Sequence, residues 1–162
     1  MSEDFIFKAK HVSYYRDERA AQNKGRICVP GMQYLVHLLR GGYLGEDLKN
    51  GRNRKLLDVG CGSGFNAVTM SMLGWDVTGC EINEDIVAHA KETCRSYGYE
   101  IPVDVGENEH LPYADATFDF LLSMNVIHYA ESRQGMERSI REYARILKPG
   151  GRILLFTIAK NS

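Results

Sequence analysis

The chain has 162 residues, 44% of them apolar and 25% charged, with a net charge of −1. That is the length of one domain, with the apolar content of an ordinary globular core. The near-neutral balance leaves no global field to draw the protein to nucleic acid or to an anionic membrane.

The N-terminus, MSEDFIFKAK, lacks the long apolar run of a signal peptide, and apolar stretches such as 153–156 are far too short to span a bilayer. Cys28, Cys61, Cys80 and Cys94 have no CxxC spacing and no accompanying His cluster, so no zinc site is expected. They read as small buried thiols in a reducing cytosol, which makes the expected location cytoplasmic. There is no internal repeat and no low-complexity segment.

Along the chain, residues 13–24 are polar, with Tyr14, Tyr15 and alternating charges. Pro30 precedes a helical pattern in which Met32, Leu35, Val36, Leu38 and Leu39 share an apolar face, stopped by Gly41-Gly42. Residues 46–54 read as a polar connection. Residues 1–50 are thus expected to form an N-terminal helical cap segment, and 51–162 the core of what is overall one domain. From Lys55 onward, strands are expected at 55–59, 76–80, 101–105, 118–124 and 152–158. Helices are expected at 64–73, 84–97 and 134–147, the last ended by Pro149-Gly150-Gly151. Such alternation specifies βαβ units and an α/β, doubly wound parallel sheet covered on both faces. Sheets of this kind bind ligands beyond the carboxyl ends of their strands, where the strand order reverses.

The sequence Asp58-Val59-Gly60-Cys61-Gly62-Ser63-Gly64 follows the first strand. Glycines at alternate positions let the chain turn sharply and bring bare backbone against a ligand. A dinucleotide fingerprint places its third glycine at the sixth position, where Phe65 stands, and a P-loop needs a Lys-Ser or Lys-Thr where Asn66-Ala67 stand. Both phosphate-cradling readings weaken. Glu81 ends the second strand, where a carboxylate can accept from both hydroxyls of a ribose, or merely stand beside a helix N-terminus. Glu107 follows a glycine at the end of the third strand, where a carboxylate can accept from an adenine amino group while the Asn108 backbone meets a ring nitrogen. Leu111-Pro112-Tyr113 would form an apolar turn beside this pocket, and Asp119 begins the next strand.

With LLDVGCGSG, GCEIN, GENEHLPYADATFD, LLSMNVIHY and LKPGGRILLFT in order, residues from about 55 to 158 resemble the class I S-adenosylmethionine-dependent methyltransferases, of the small-molecule type that includes the ubiquinone/menaquinone-biosynthesis-like enzymes. Glu107 departs from the family's usual Asp but keeps the acceptor. The resemblance implies a Rossmann-like sheet of order 3-2-1-4-5, S-adenosylmethionine as cofactor and a small-molecule acceptor. It implies that Asp58, Gly60, Cys61, Gly62 and Gly64 surround the methionine and ribose part. Glu81 would hold the ribose, Ile82 lie against adenine, Glu107 and Asn108 read the adenine edge, and Ser123 and Met124 line the methionine end. His128 is a candidate general base, or it packs at the start of a helix; His110 carries the same two readings. Tyr14 and Tyr15 would form a lid or anchor the N-terminal segment, and Arg16, Arg19 and Arg26 would meet an acidic substrate or simply face solvent.

The family's usual strands six and seven have no counterpart here, which leaves an apolar fifth strand at the sheet edge. The chain is a fragment, or it pairs that edge with itself or a partner, or the N-terminal segment covers it. A non-catalytic methyltransferase-like binding module is therefore the alternative, and an NAD-dependent oxidoreductase a third, disfavoured reading. The fourth strand ends Ser123-Met124-Asn125-Val126 rather than in the Asn/Asp-Pro-Pro-Tyr/Phe of enzymes that methylate amino groups of nucleobases and glutamine, and with no basic surplus no nucleic-acid substrate is expected.

Overall fold

The computed structural model describes residues 32–45 and 48–157. Tyr14, Tyr15, Arg16, Arg19, Arg26, Cys28 and most of the N-terminal cap lie outside the described residues. The elements in order are α1 (Met32–Arg40), β1 (Lys55–Val59), α2 (Phe65–Met72), β2 (Asp76–Glu81), α3 (Glu84–Ser96), β3 (Val103–Val105) and β4 (Phe118–Met124), then a 3-10 turn (Ile127–Tyr129), α4 (Arg133–Ile146) and β5 (Leu147–Phe156). The five strands form one sheet in the order β3-β2-β1-β4-β5, every pair parallel. This is the doubly wound arrangement expected, with the order reversing between β1 and β4.

Adjacent Leu56 and Leu57 in β1 are both wholly buried, as are Leu121 and Leu122 in β4. Consecutive apolar residues suit strands covered on both faces, where alternation would leave one face wet. One face packs Leu56, Phe120 and Leu122 against Leu35 and Leu39 of α1, Met70 of α2 and Trp75. The other packs Leu57, Val59 and Leu121 against Tyr143 and Ile146 of α4. Two helices have clear side-chain starts: Asn83 accepts from the Asp85 and Ile86 amides, and Ser132 from Gly135.

Three expectations are corrected. The connection at 46–54 is not wholly polar, because Leu48 is buried in the α1-side core. The third strand is shorter than its apolar run: Ile101 is buried ahead of it, and pairing with β2 begins at Val103. Pro149-Gly150-Gly151 does not merely end α4. The helix stops at Ile146 and β5 begins at once, with a register irregularity absorbing the extra residues between the Phe118–Leu147 and Phe120–Arg152 pairs.

Candidate functional site

The carboxyl ends of β1, β2 and β4 converge on the glycine-rich turn. Gly60, Gly62 and Gly64 all have positive φ, 62°, 53° and 80°, a region that costs any other L-residue energy. At Gly60 space is as strict as conformation, since an added Cβ would stand 2.4 Å from Cγ2 of Val126. The turn is tied to β2 twice: the Cys61 amide donates to the Cys80 carbonyl at 3.1 Å, and the Gly62 amide to Glu81 Oε2 at 3.1 Å. Gly64 then starts α2, its carbonyl accepting from Val68.

Two carboxyl groups lie in this end of the sheet. Asp58 is 1% exposed and neither oxygen has a hydrogen-bond partner among the described residues. Burial, then the nearby Glu81 carboxylate, push it up to about 8, and the Ala67 amide, outside hydrogen-bond geometry, offsets only part of this. Glu81 is also buried, but Ile82 donates to its Oε1 at 2.8 Å and Gly62 to Oε2. Burial still raises it, against the pull of those two amides. Glu81 is therefore not a solvated residue beside a helix; Asn83 does the capping.

Most of the other predicted residues lie at or just past the ends of β2, β3 and β4. Ile82 exposes 55% of its surface directly after Glu81, an apolar side chain with an open face. The Gly106 amide donates to the Glu81 carbonyl at 3.0 Å, which brings the turn of Glu107 and Asn108 alongside; Glu107 is exposed and bridges to His110. Ser123 pairs with Val59 across the sheet and is wholly buried, and Met124 follows at the strand end. His128 lies in the 3-10 turn with Nδ1 3.2 Å from Thr157 Oγ1, past the end of β5. Tyr14 and Tyr15 lie outside the described residues. Cys61, Cys80 and Cys94 are free and buried, and burial pushes Cys80 to about 12 and Cys94 to about 11. They are packing thiols rather than nucleophiles.

Sequence reasoning missed Val126, whose methyls fill the space opposite Gly60. It also missed Tyr143, a buried phenol whose hydroxyl faces Ser123 Oγ without reaching good hydrogen-bond geometry. Nothing in an amphipathic helix pattern distinguishes such a tyrosine from an ordinary core residue.

Residues 57–155 match the family described as the methyltransferase domain. The chain belongs to that family. It is 33% identical over 117 residues to a malonyl-[acyl-carrier protein] O-methyltransferase from Erwinia pyrifoliae, an alignment covering 72% of this chain and 42% of that protein. It is 36% identical over 104 residues to a probable tRNA methyltransferase 9B from Bos taurus, covering 64% and 21%. Among solved structures, the PH0226 protein from Pyrococcus horikoshii OT3 superposes with a TM-score of 0.66 at 25% identity, covering 87% of this chain and 60% of that one. This methyltransferase domain spans less than half the length of the curated relatives it matches. No helix among the described residues is long and apolar enough to cross a membrane.

Proposed function

We propose that this domain binds S-adenosylmethionine beyond the ends of β1 and β2 and transfers its methyl group to a small-molecule acceptor in the cytoplasm. The observation that carries the reading is Asp58. A buried carboxyl with both oxygens unbonded is costly unless a ligand completes it, and an ammonium group such as the cofactor's is the matching partner. Glu81, held by two amides, is preset to accept from ribose hydroxyls. The exposed face of Ile82 fits a planar base, with Glu107 and Asn108 reading its edge. The turn at Gly60, Cys61, Gly62 and Gly64 would lie against the methionine and ribose part, and Ser123 and Met124 would bound the methionine end.

When bound, the cofactor supplies an activated methyl on a sulfonium, a good leaving group. The work left to the chain is to fix both partners in line, and positioning alone can supply much of the rate. A hydroxyl acceptor would also need a base, for which His128 is the candidate we retain, and Tyr14 and Tyr15 remain our proposal for a lid. The printed names of the relatives include both a malonyl-carrier O-methyltransferase and a probable tRNA methyltransferase. The near-neutral charge of this chain favours a small molecule.

The test is calorimetric titration with S-adenosylmethionine, S-adenosylhomocysteine and NADH, on wild type and Glu81→Ala. Saturable binding of both sulfur nucleosides, lost in the variant and absent for NADH, is expected. Binding of NADH alone would overturn the reading. Cofactor binding with no turnover against any acceptor would favour the non-catalytic module.

A further inference from the structure

The loop between β3 and β4 carries Glu107 and Asn108, yet those two residues have little of their own to hold them: the His110 amide donates to the Glu107 carbonyl, and the Gly106 amide to Glu81. The rest of the loop is gripped from α4. Arg145 Nη2 donates to the Leu111 carbonyl at 3.1 Å, and Nη1 to the Tyr113 carbonyl at 2.7 Å and to Asp115 Oδ1 at 2.8 Å. Glu142 aligns the guanidinium by accepting from Nε at 2.9 Å and Nη2 at 2.8 Å, and its Oε2 also accepts from the Leu111 amide at 2.9 Å. One turn or more earlier on α4, Arg138 Nε donates to Glu109 Oε2 at 2.6 Å. On its other side the loop is pinned by Tyr113, whose hydroxyl lies 3.3 Å from the Gly79 carbonyl and 3.2 Å from Asp104 Oδ2 and shares its one proton between them.

We propose that Arg145, oriented by Glu142, is a positioning residue for nucleobase recognition: it fixes the 107–113 loop so that Glu107 and Asn108 meet the edge of the base. This rests on the cofactor reading above. The argument is one of geometry. The guanidinium makes five hydrogen bonds, to two backbone carbonyls, Asp115 and both oxygens of Glu142, more than the three donors of a lysine ammonium can supply. All three guanidinium nitrogens are committed within α4 and this loop, with none directed to a distant element. The network meets the loop at Glu109 and Leu111, one and three residues past Asn108, close enough that a rotation of the loop would misplace the reading groups.

A purely structural clasp would lower stability without changing which base is preferred, so the decisive readout is discrimination. The probes are S-adenosylhomocysteine and S-inosylhomocysteine, in which the exocyclic amino group is replaced by an oxo group. Wild type is expected to prefer the adenine ligand. Arg145→Gln is expected to weaken that ligand about tenfold, the loss of roughly one charge-assisted hydrogen bond, and to narrow the preference, at a temperature where the variant remains folded. If Arg145→Gln does not fold, Arg138→Gln, at a half-exposed pair on the same loop, replaces it and is expected to narrow the preference to a smaller degree. A folded variant that keeps wild-type affinity and wild-type discrimination overturns the proposal. Wild type that binds neither nucleoside overturns the cofactor reading, and this inference with it.

Discussion

Asp58 stores a pH dependence. Its carboxyl stands near 8 in the folded chain against 3.8 for an exposed aspartate, because burial and then Glu81 disfavour the charge. Between those values the native state holds a proton that the unfolded chain has released. The stabilisation is therefore complete below the unfolded value and is lost as pH rises through the folded one. Linkage sets the slope at about 1.4 kcal/mol per pH unit for one such group. Glu81, raised by burial, adds in the same direction. Urea unfolding followed between pH 5 and pH 8 should show wild type losing stability toward the alkaline side and Asp58→Asn losing much less. Equal slopes would mean that Asp58 is already ionised in the folded state. The same chemistry predicts that a ligand bearing an ammonium group binds more tightly as pH rises towards 8, because the carboxylate it pairs with then needs no deprotonation. Calorimetry of S-adenosylhomocysteine in buffers of different ionisation enthalpy would detect the released proton.

At the scale of elements, the turn between β1 and α2 is the strictest piece of the fold. Gly60→Ala would need a left-handed residue with its Cβ 2.4 Å from a Val126 methyl. The conformational cost and the overpacking together amount to about 2–4 kcal/mol. The expected result is a lower urea midpoint with an unchanged slope, and cofactor affinity lost as the turn shifts. This turn was legible in the sequence because glycine is the residue that positive φ demands, and because Asp58 and Glu81 sit one strand apart at matching ends. β1 and β4 were legible to the residue, being apolar runs closed by polar ones. β5 was not. Lys148-Pro149-Gly150-Gly151 has the composition of a helix terminator, while the pairing that begins at Leu147 is imposed by Phe118 on a strand far away in sequence. Long-range pairing overrides local composition there, as it does where Leu48 enters the core. The Arg145 clasp was invisible for the same reason: its helix spacing to Glu142 looks like any surface ion pair until the 111–115 loop is brought against it.

At the scale of the whole molecule, the question is what lies beside β5. The alternation of elements pointed to a parallel sheet and the family resemblance to its strand order, which puts a ten-residue strand at one edge of the described sheet. Ile153 is 41% and Phe156 49% exposed there, on opposite faces of the strand. An edge that is long and apolar is a template for further pairing, and proteins usually blunt it with charge, proline or a covering element. Lys148, Pro149 and Arg152 lie on this strand, but Lys148 is paired with Asp119 and the Arg152 guanidinium donates to the Leu44 carbonyl after α1, while 153–156 is apolar. The 162-residue chain is therefore expected to associate through this edge as its concentration rises. Sedimentation velocity across a wide concentration range would show a growing faster species. Ile153→Lys combined with Phe156→Lys should return the chain to the monomer. A concentration-independent monomer in wild type would mean that the edge is already covered within the chain. Association that survives the double variant would move the interface to another face.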